Sequence, residues 1–387
     1  MIMATDNKNK VLNVPNLRFP EFKEAWKDSN IGKCFDLYSG NTPSRMEKEH
    51  FIGDVNWITS GELKEHYIGD TKERISEKAA ADNNLRILPV GTFVMAIYGL
   101  EAEGVRGTCS ITVKTSTISQ ACMAFTPKSN VSNEFLYSWY KKHGNKIGIR
   151  YAQGTKQQNL SYDIIEKFPI RYPSIEEQEK LNTFISLLDS RIATQNKIIE
   201  QLQSLIKGIY DKTFANFSKY QTLSAICKIQ KGQQINGEEL SEFGEYYVMN
   251  GGIEPSGYYN KYNTMPNTIS ISEGGNSCGY IQFNTVPFWS GGHCYTLQGI
   301  STEYNTHFVY HYLKSKEKEI MSLRIGSGLP NIQKKDLEIF PIPELSLETQ
   351  IRISNGINKI ETKLKQALNM LSAYQTQKAY LLRNLFI

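Results

Sequence analysis

A chain of 387 residues with 40% hydrophobic and 21% charged residues is composed like folded domains, long enough for two or three cores and unlike a disordered tail. It has no apolar run near the roughly 18–20 residues of a membrane-spanning helix, and its first ten residues, MIMATDNKNK, lack the apolar centre of a secretory signal, so the cytoplasm is the expected compartment. Net charge of +5 hints at an anionic partner, yet no segment is strongly basic: 1–150 holds 20 basic against 17 acidic residues, and 326–387 holds 8 against 5.

In chain order, residues 1–15 form a polar tail and 16–150 a first globular region. Short β-branched and aromatic runs there, TFVMAIY and CSITVK, are bounded by turn residues as strands are. EFLYSWYKK is helical in pattern. The densest basic run, Lys141, Lys142, Lys146, Arg150 and Lys156, suits a phosphate contact or a solvated helix face equally. Residues 151–214 then carry GTKQQNLSYDIIEKFPI and a long periodic segment. Residues 215–325 form a second globular region, with strand runs TISIS and YIQFNTVPFW and the helical THFVYHYLKSKEKEI. Residues 326–387 close with GSGLPNIQKKDLEIFPI and a second long segment.

That closing passage repeats the earlier one. A shift of 172 places Gly154 on Gly326 and Phe214 on Phe386 without a gap, with identities including Asn159/Asn331, Glu166/Glu338, Phe168/Phe340, Pro169/Pro341, Ile170/Ile342, Gln178/Gln350 and Phe214/Phe386. Each copy continues with apolar residues in a 4-3 spacing: Leu181, Ile185, Leu188, Ile192, Ile199, Leu202 and Ile206 in the first, Ile353, Ile357, Ile360, Leu364, Leu371 and Tyr374 in the second. A 3.5-residue repeat keeps one seam facing a partner helix, so two helices, about 174–213 and 346–385, are expected to pair as a coiled coil. Both seams falter midway, at Gln195 and Ala367, and the second also carries Lys378. SIEE (Ser174 to Glu177) has the pattern of a capping box, and Ser346 occupies the equivalent N-cap.

The globular regions echo each other more faintly. NIGKCFDLYSG matches TLSAICKIQKG, WITSGEL matches YVMNGGI, and GTFVMA matches NTISIS. Along this alignment the cysteines fall in pairs: Cys34 with Cys227, Cys109 with Cys278 and Cys122 with Cys294. The six cysteines form no C-x-x-C pair, so buried free thiols are expected rather than zinc ligands or disulfides. The fold class is therefore α+β: two mixed α/β domains related by an internal repeat, each followed by a long helix, the two helices pairing with each other.

Catalytic constellations are missing from the sequence. It has no phosphate-binding G-x-x-x-x-G-K-[ST] loop, no H-E-x-x-H and no N-P-P-[FY] tetrapeptide. His307 and His311, four apart, suit one helix face better than a metal site. No metal site and no enzyme activity are expected of this chain. What remains are loops rich in groups able to read base edges: Thr59, Ser60, Glu62, Tyr98, Arg106, Thr155, Lys156, Gln157, Gln158 and Asn159 in the first half, and Asn250, Glu273, Asn276, Ser277, Ser327 and Asn331 in the second. Arg and Lys suit guanine, Gln and Asn suit adenine, and glycine-flanked amides approach phosphate.

This plan resembles the specificity subunit of type I restriction-modification systems, the HsdS family. VPNLRFPEFKEAW (Val14 to Trp26) is similar to the family's lead-in, and GTKQQNLS, the FPI and the P-x-x-x-E-Q helix entry are similar to its first repeat. The resemblance implies a non-catalytic DNA-binding subunit with two target recognition domains, each reading one half of a bipartite asymmetric site in double-stranded DNA. It implies that the two domains are related by a pseudo-two-fold repeat, that the two helices pair as an antiparallel coiled coil, and that they set the half-site spacing and dock two modification (methyltransferase) subunits, which bind S-adenosylmethionine and methylate adenine N6. Up to two restriction subunits, using ATP and magnesium, would join them, with no cofactor in this chain and no membrane partner. The alternative is a stand-alone two-headed DNA-binding regulator or scaffold.

Overall fold

In the computed structural model, residues 2–3, 13–102, 104–154, 158–326, 328 and 330–387 are described. Contacts divide the chain into two units: residues 1–194 with 371–387, and residues 195–370. Each unit joins one globular head to stretches of both long helices, which span Ile175–Thr213 and Leu347–Leu385.

The first unit is built on a five-stranded sheet. Its order is Phe35–Ser39, Cys122–Pro127, Phe93–Ala96, Cys109–Thr112 and Tyr67–Ile68, antiparallel except for the last pair. The central run FVMA is buried at every position, which is why it reads as continuous apolar residues rather than an alternation. A helix, Asn133–Tyr151, begins at a Ser132 cap and places Phe135, Leu136, Trp139 and Tyr140 in the core. A smaller sheet pairs Val55–Ile58 in parallel with Ser116–Ile118.

The second unit repeats this with fewer pieces. Four strands run in the order Lys228–Lys231, Cys294–Gln298, Thr268–Ser272 and Ile281–Asn284. The helix Thr306–Ser315 is capped by Asn305, and Tyr246–Met249 runs parallel to Trp289–Ser290. Gly91 and Asn267 lie just before equivalent strands, and both have positive φ, 84° and 58°. The hydroxyls that follow, on Thr92 and Thr268, each donate to a carbonyl three residues back.

The repeated residues now have physical reasons. FPI forms a two-stranded sheet with the strand that opens its head: Pro169–Tyr172 with Lys27–Asn30, and Pro341–Pro343 with Tyr220–Thr222. Gln178 is fully buried; its amide donates to the carbonyls of Asn130 and Pro173 and accepts from the Ser132 N–H. Gln350 does the same with Glu303, Leu345 and Asn305. Each glutamine thereby ties the start of a long helix to the N-cap of its head's helix. Phe386 meets Phe135 at 5.4 Å in the first unit, and Phe214 meets Phe308 at 5.9 Å in the second.

The helices pair antiparallel within each unit. In the first, Asp189 pairs with Lys378, and Arg191 lies over the Tyr374 ring. In the second, Gln195 donates to the carbonyl of Ala367, and the Tyr210 hydroxyl to Glu361. The positions where the seam falters are thus explained: Ala367 leaves room for the buried Gln195 amide, and Lys378 has a carboxylate. Gln195 also faces its own repeat equivalent, 172 residues on. Every seam position named above is buried or half-buried, with Leu181 and Ile185 at 2% exposure.

Three local expectations change. Ser174 does cap the first helix through the Glu177 N–H, but the Glu177 carboxylate is not turned back to close a box. It is buried and accepts two hydrogen bonds from Arg18, at 2.8 and 2.7 Å, and one from the Trp26 indole. Cys109 pairs with Met95, whereas its counterpart opposite Ile271 is Ile281, so Cys278 is not its equivalent. Cys34 likewise matches Ile226, each being the last residue of a four-residue helix, and Cys227 matches Phe35. All six cysteines are buried free thiols.

Each long helix also meets its head through an acid at one repeat position. In the first unit, Asp189 lies 3.6 Å from Nδ1 of His66, whose Nε2 is 2.9 Å from Glu134. The His66 ring is stacked between Tyr67 and Tyr137. Burial pushes its pKa down, but Asp189 and Glu134 outweigh that and leave it raised. In the second unit, Glu361 faces His311, which is fully buried. There Nδ1 is 3.0 Å from the Tyr210 hydroxyl and Nε2 is 2.7 Å from the Asn358 amide oxygen. Burial pushes His311 down to about 4 and Glu361 up.

Candidate nucleic-acid interface

Beyond the strand ends of the first unit, four loops are tied by backbone hydrogen bonds. Ser119 N–H donates to Ile58, Ile97 to Ala121, Leu160 to Ile97, and Leu100 to Gln158. In the second unit Gly291 donates to Met249, Glu273 to His293, Ile332 to Glu273, and Gly275 to Pro330. The bridges Gln153–Asn159 and Ile325–Asn331 complete the match. These bonds align the heads residue by residue, pairing Ile58 with Met249; the sequence match of WITSGEL to YVMNGGI is therefore one residue out of register. Gly40 and Gly232 share one reason for being glycine. A Cβ on either would lie about 2 Å from a strand carbonyl, 1.8 Å from Ile118 O or 2.3 Å from Ser290 O.

The loop residues singled out in the sequence have distinct fates. Thr59 and Glu62 face each other in a capping box, and the other Glu62 oxygen accepts from the Lys72 N–H. Their hydrogen-bonding groups are engaged inside the loop. Ser60 is half-buried beside them, and Tyr98 is exposed. Arg106 donates to the Gln158 side chain at 2.7 Å, and Glu101 accepts from the Gln158 N–H. Asn159 is half-buried, with its Oδ1 unpaired. Thr155, Lys156 and Gln157 lie outside the described residues, as does Ser327. In the second unit Asn276 and Asn331 are exposed, Ser277 is half-buried, and Asn250 accepts from the His293 N–H. Glu273 is buried.

The two heads thus carry the same loops with different chemistry. The family profile described as "Type I restriction modification DNA specificity domain" matches residues 23–204 and again 218–370, one match per head. The chain belongs to that family.

Relatives agree. The chain is 24% identical to the Type I restriction enzyme MjaIX specificity subunit of Methanocaldococcus jannaschii, over 82% of this chain and 84% of that one. It is 36% identical to the putative type I specificity subunit S.MpnORF638P of Mycoplasma pneumoniae, over 40% of this chain and 41% of the relative. Its fold is similar to the crystal structure of the S subunit from M. genitalium, with a TM-score of 0.70 and 21% identity, covering 97% of this chain and 99% of that one.

Within this specificity-family chain, sequence inspection missed two side chains. Lys231 forms an ion pair with Glu273, and Nδ1 of His293 lies 3.4 Å from the other Glu273 oxygen. Both are exposed and surrounded by the loops just described. Lys231 ends a strand and His293 follows the Gly291-Gly292 turn; only their convergence on Glu273 singles them out. Among the described residues no group of three or more histidine, cysteine, aspartate and glutamate side chains is placed to hold a metal ion, and none of the helices is long and apolar enough to cross a membrane.

Proposed function

We propose that this specificity subunit reads a bipartite, asymmetric site in double-stranded DNA, with residues 16–150 reading one half and 215–325 the other. The observation that carries the reading is the aligned pair of loop sets, whose equivalent positions hold unrelated side chains on one scaffold. Two heads of one shape with different surfaces suit two half-sites of different sequence. Tyr98, Ser60 and Arg106 in the first head, and Asn250, Asn276 and Asn331 in the second, are the proposed base or phosphate contacts. The near-balanced charge of +5 then leaves much of the phosphate neutralisation to partner subunits. Those partners are two methyltransferase subunits that use S-adenosylmethionine to methylate adenine N6, joined by up to two ATP- and magnesium-dependent restriction subunits, all in the cytoplasm.

The long helices act as the spacer between half-sites. Each has 39 residues, about 58 Å at 1.5 Å per residue. Inserting four residues into each helix lengthens it by about 6 Å, somewhat under two base pairs. Methylome sequencing of cells carrying the insertion is expected to show both half-sites intact with a longer gap. An unchanged gap overturns the spacer role. Co-purification of the chain without any methyltransferase overturns the assembly.

A further inference from the structure

The two heads are each other's control. Glu273 occupies the position that Ile97 holds in the first head, as the shared hydrogen bonds to His293 and Ala121 show. His293 stands where Ala121 does. Strand register places Tyr295 opposite Lys231 as Met123 stands opposite Ser39. The first head therefore builds this corner from Ile97, Ala121, Met123 and Ser39, and the second from Glu273, His293, Tyr295 and Lys231.

The Glu273 side chain is only 11% exposed, and one of its oxygens accepts from Lys231 and from the Tyr295 hydroxyl at 3.1 Å. Its second oxygen is buried without a hydrogen bond, 3.4 Å from His293. Burying a carboxylate is unfavourable, and an ion pair rarely improves on an apolar replacement. Because the first head makes the same strands and loops with Ile97, Ala121, Met123 and Ser39, none of them charged, folding does not require the cluster. What the cluster does achieve is orientation. Lys231 and His293, 51% and 62% exposed, are each drawn to one oxygen of the same carboxylate at the loop surface.

Resting on the DNA-reading function proposed above, the geometry points to a guanine-reading element in the second head, with Lys231 and His293 as the contacts and Glu273 as the residue that positions them. The Lys231 ammonium, a donor only, and the outward Nε2 of His293, which donates when the ring is an imidazolium with Nδ1 turned to the carboxylate, match the O6 and N7 acceptors on the major-groove edge of guanine, the one base edge there with two acceptors and no donor. Glu273 lies too deep to touch a base; it holds the Lys231 ammonium by an ion pair and draws the His293 imidazole by charge, so that less side-chain freedom is lost on binding.

The test is selection from a randomised duplex library by the full chain assembled with its methyltransferase subunits, followed by sequencing of the retained duplexes. The wild-type complex is expected to select guanine at a position in one half-site. Lys231→Ser with His293→Ala, which copies the first head, should lower that preference by about tenfold or more and leave the other half-site unchanged. Glu273→Gln should relax the same position with both donors still present, and Glu273→Asp should restore part of it, while the melting midpoints stay near wild type. Unchanged preference overturns the inference. So does relaxation at a base other than guanine, or a uniform weakening at all positions, which marks a phosphate contact. If the wild-type complex selects no bipartite sequence, the proposed function falls and this element with it.

Discussion

Asp189 and Glu361 stand 172 residues apart at one position of the repeat, and each faces a histidine of its own head, yet the two solutions are opposite. In the first unit the acid joins Lys378 and His66 in an ionic cluster, with Glu134 on the far side of the imidazole. In the second, His311 is sealed from solvent between Tyr210 and Asn358, and burial opposes charge on both His311 and Glu361. The repeat therefore preserves where a helix and a head touch without preserving how. What both copies do keep is the pair of anchors: a buried glutamine at the start of each long helix and a buried phenylalanine at its end.

Removing the terminal anchors should have the largest effect. Phe386→Ala leaves a cavity beside Phe135 and is expected to destabilise the first unit by about 3–5 kcal/mol, with Phe214→Ala doing the same to the second. Hydrogen exchange followed by mass spectrometry locates each loss. Protection that falls equally in both units for either variant would show that the anchors are not local.

The glutamines come next. Gln178→Ala removes three hydrogen bonds and leaves the Ser132 N–H and the Asn130 and Pro173 carbonyls without that partner, an expected loss of about 2–3 kcal/mol. Gln350→Ala should match it within about 1 kcal/mol, since each bond has its counterpart. Chemical denaturation of the two variants checks this. A large disparity would break the equivalence of the two helix entries.

Such anchors were the legible part of the sequence, because a buried residue with a fixed set of partners leaves the same letter in both copies. The 4-3 seam was legible for a similar reason: a helix that buries one stripe must repeat it. The heads were legible only as runs of strand-forming residues. Insertions shift the offset from 172 at Cys122/Cys294 to 176 at Gly91/Asn267, so the alignment slipped by one at Thr59 and paired Cys109 with Cys278 instead of Ile281 with Cys109. The proposed interface was the least legible. Loop polarity singled out Glu62, whose carboxylate closes its own turn, and passed over Lys231 and His293, which are 62 residues apart in sequence and meet only through Glu273. Contacts of this kind carry no period and no spacing.

The smallest effect is the one that tests the contrast between the two acids most directly. His66 is raised above its usual value of 6.5, so its contribution to stability is fully present below pH 6.5 and is lost as pH rises through its folded-state pKa. His311 is depressed to about 4, so protonation of the unfolded chain draws stability away as pH falls from 6.5 towards 4. Imidazole proton shifts followed by NMR should show the two rings titrating on opposite sides of 6.5. Asp189→Asn removes one of the two carboxylates that hold the His66 proton against burial, and its pKa should drop; Glu361→Gln should leave His311 neutral down to about pH 4, because burial rather than charge sets it. A His66 that titrates unchanged in Asp189→Asn would mean that Glu134 alone holds the proton and that the long helix has no electrostatic part in fixing its head. A drop confined to His66 would mean that one repeat position has been put to two different electrostatic uses.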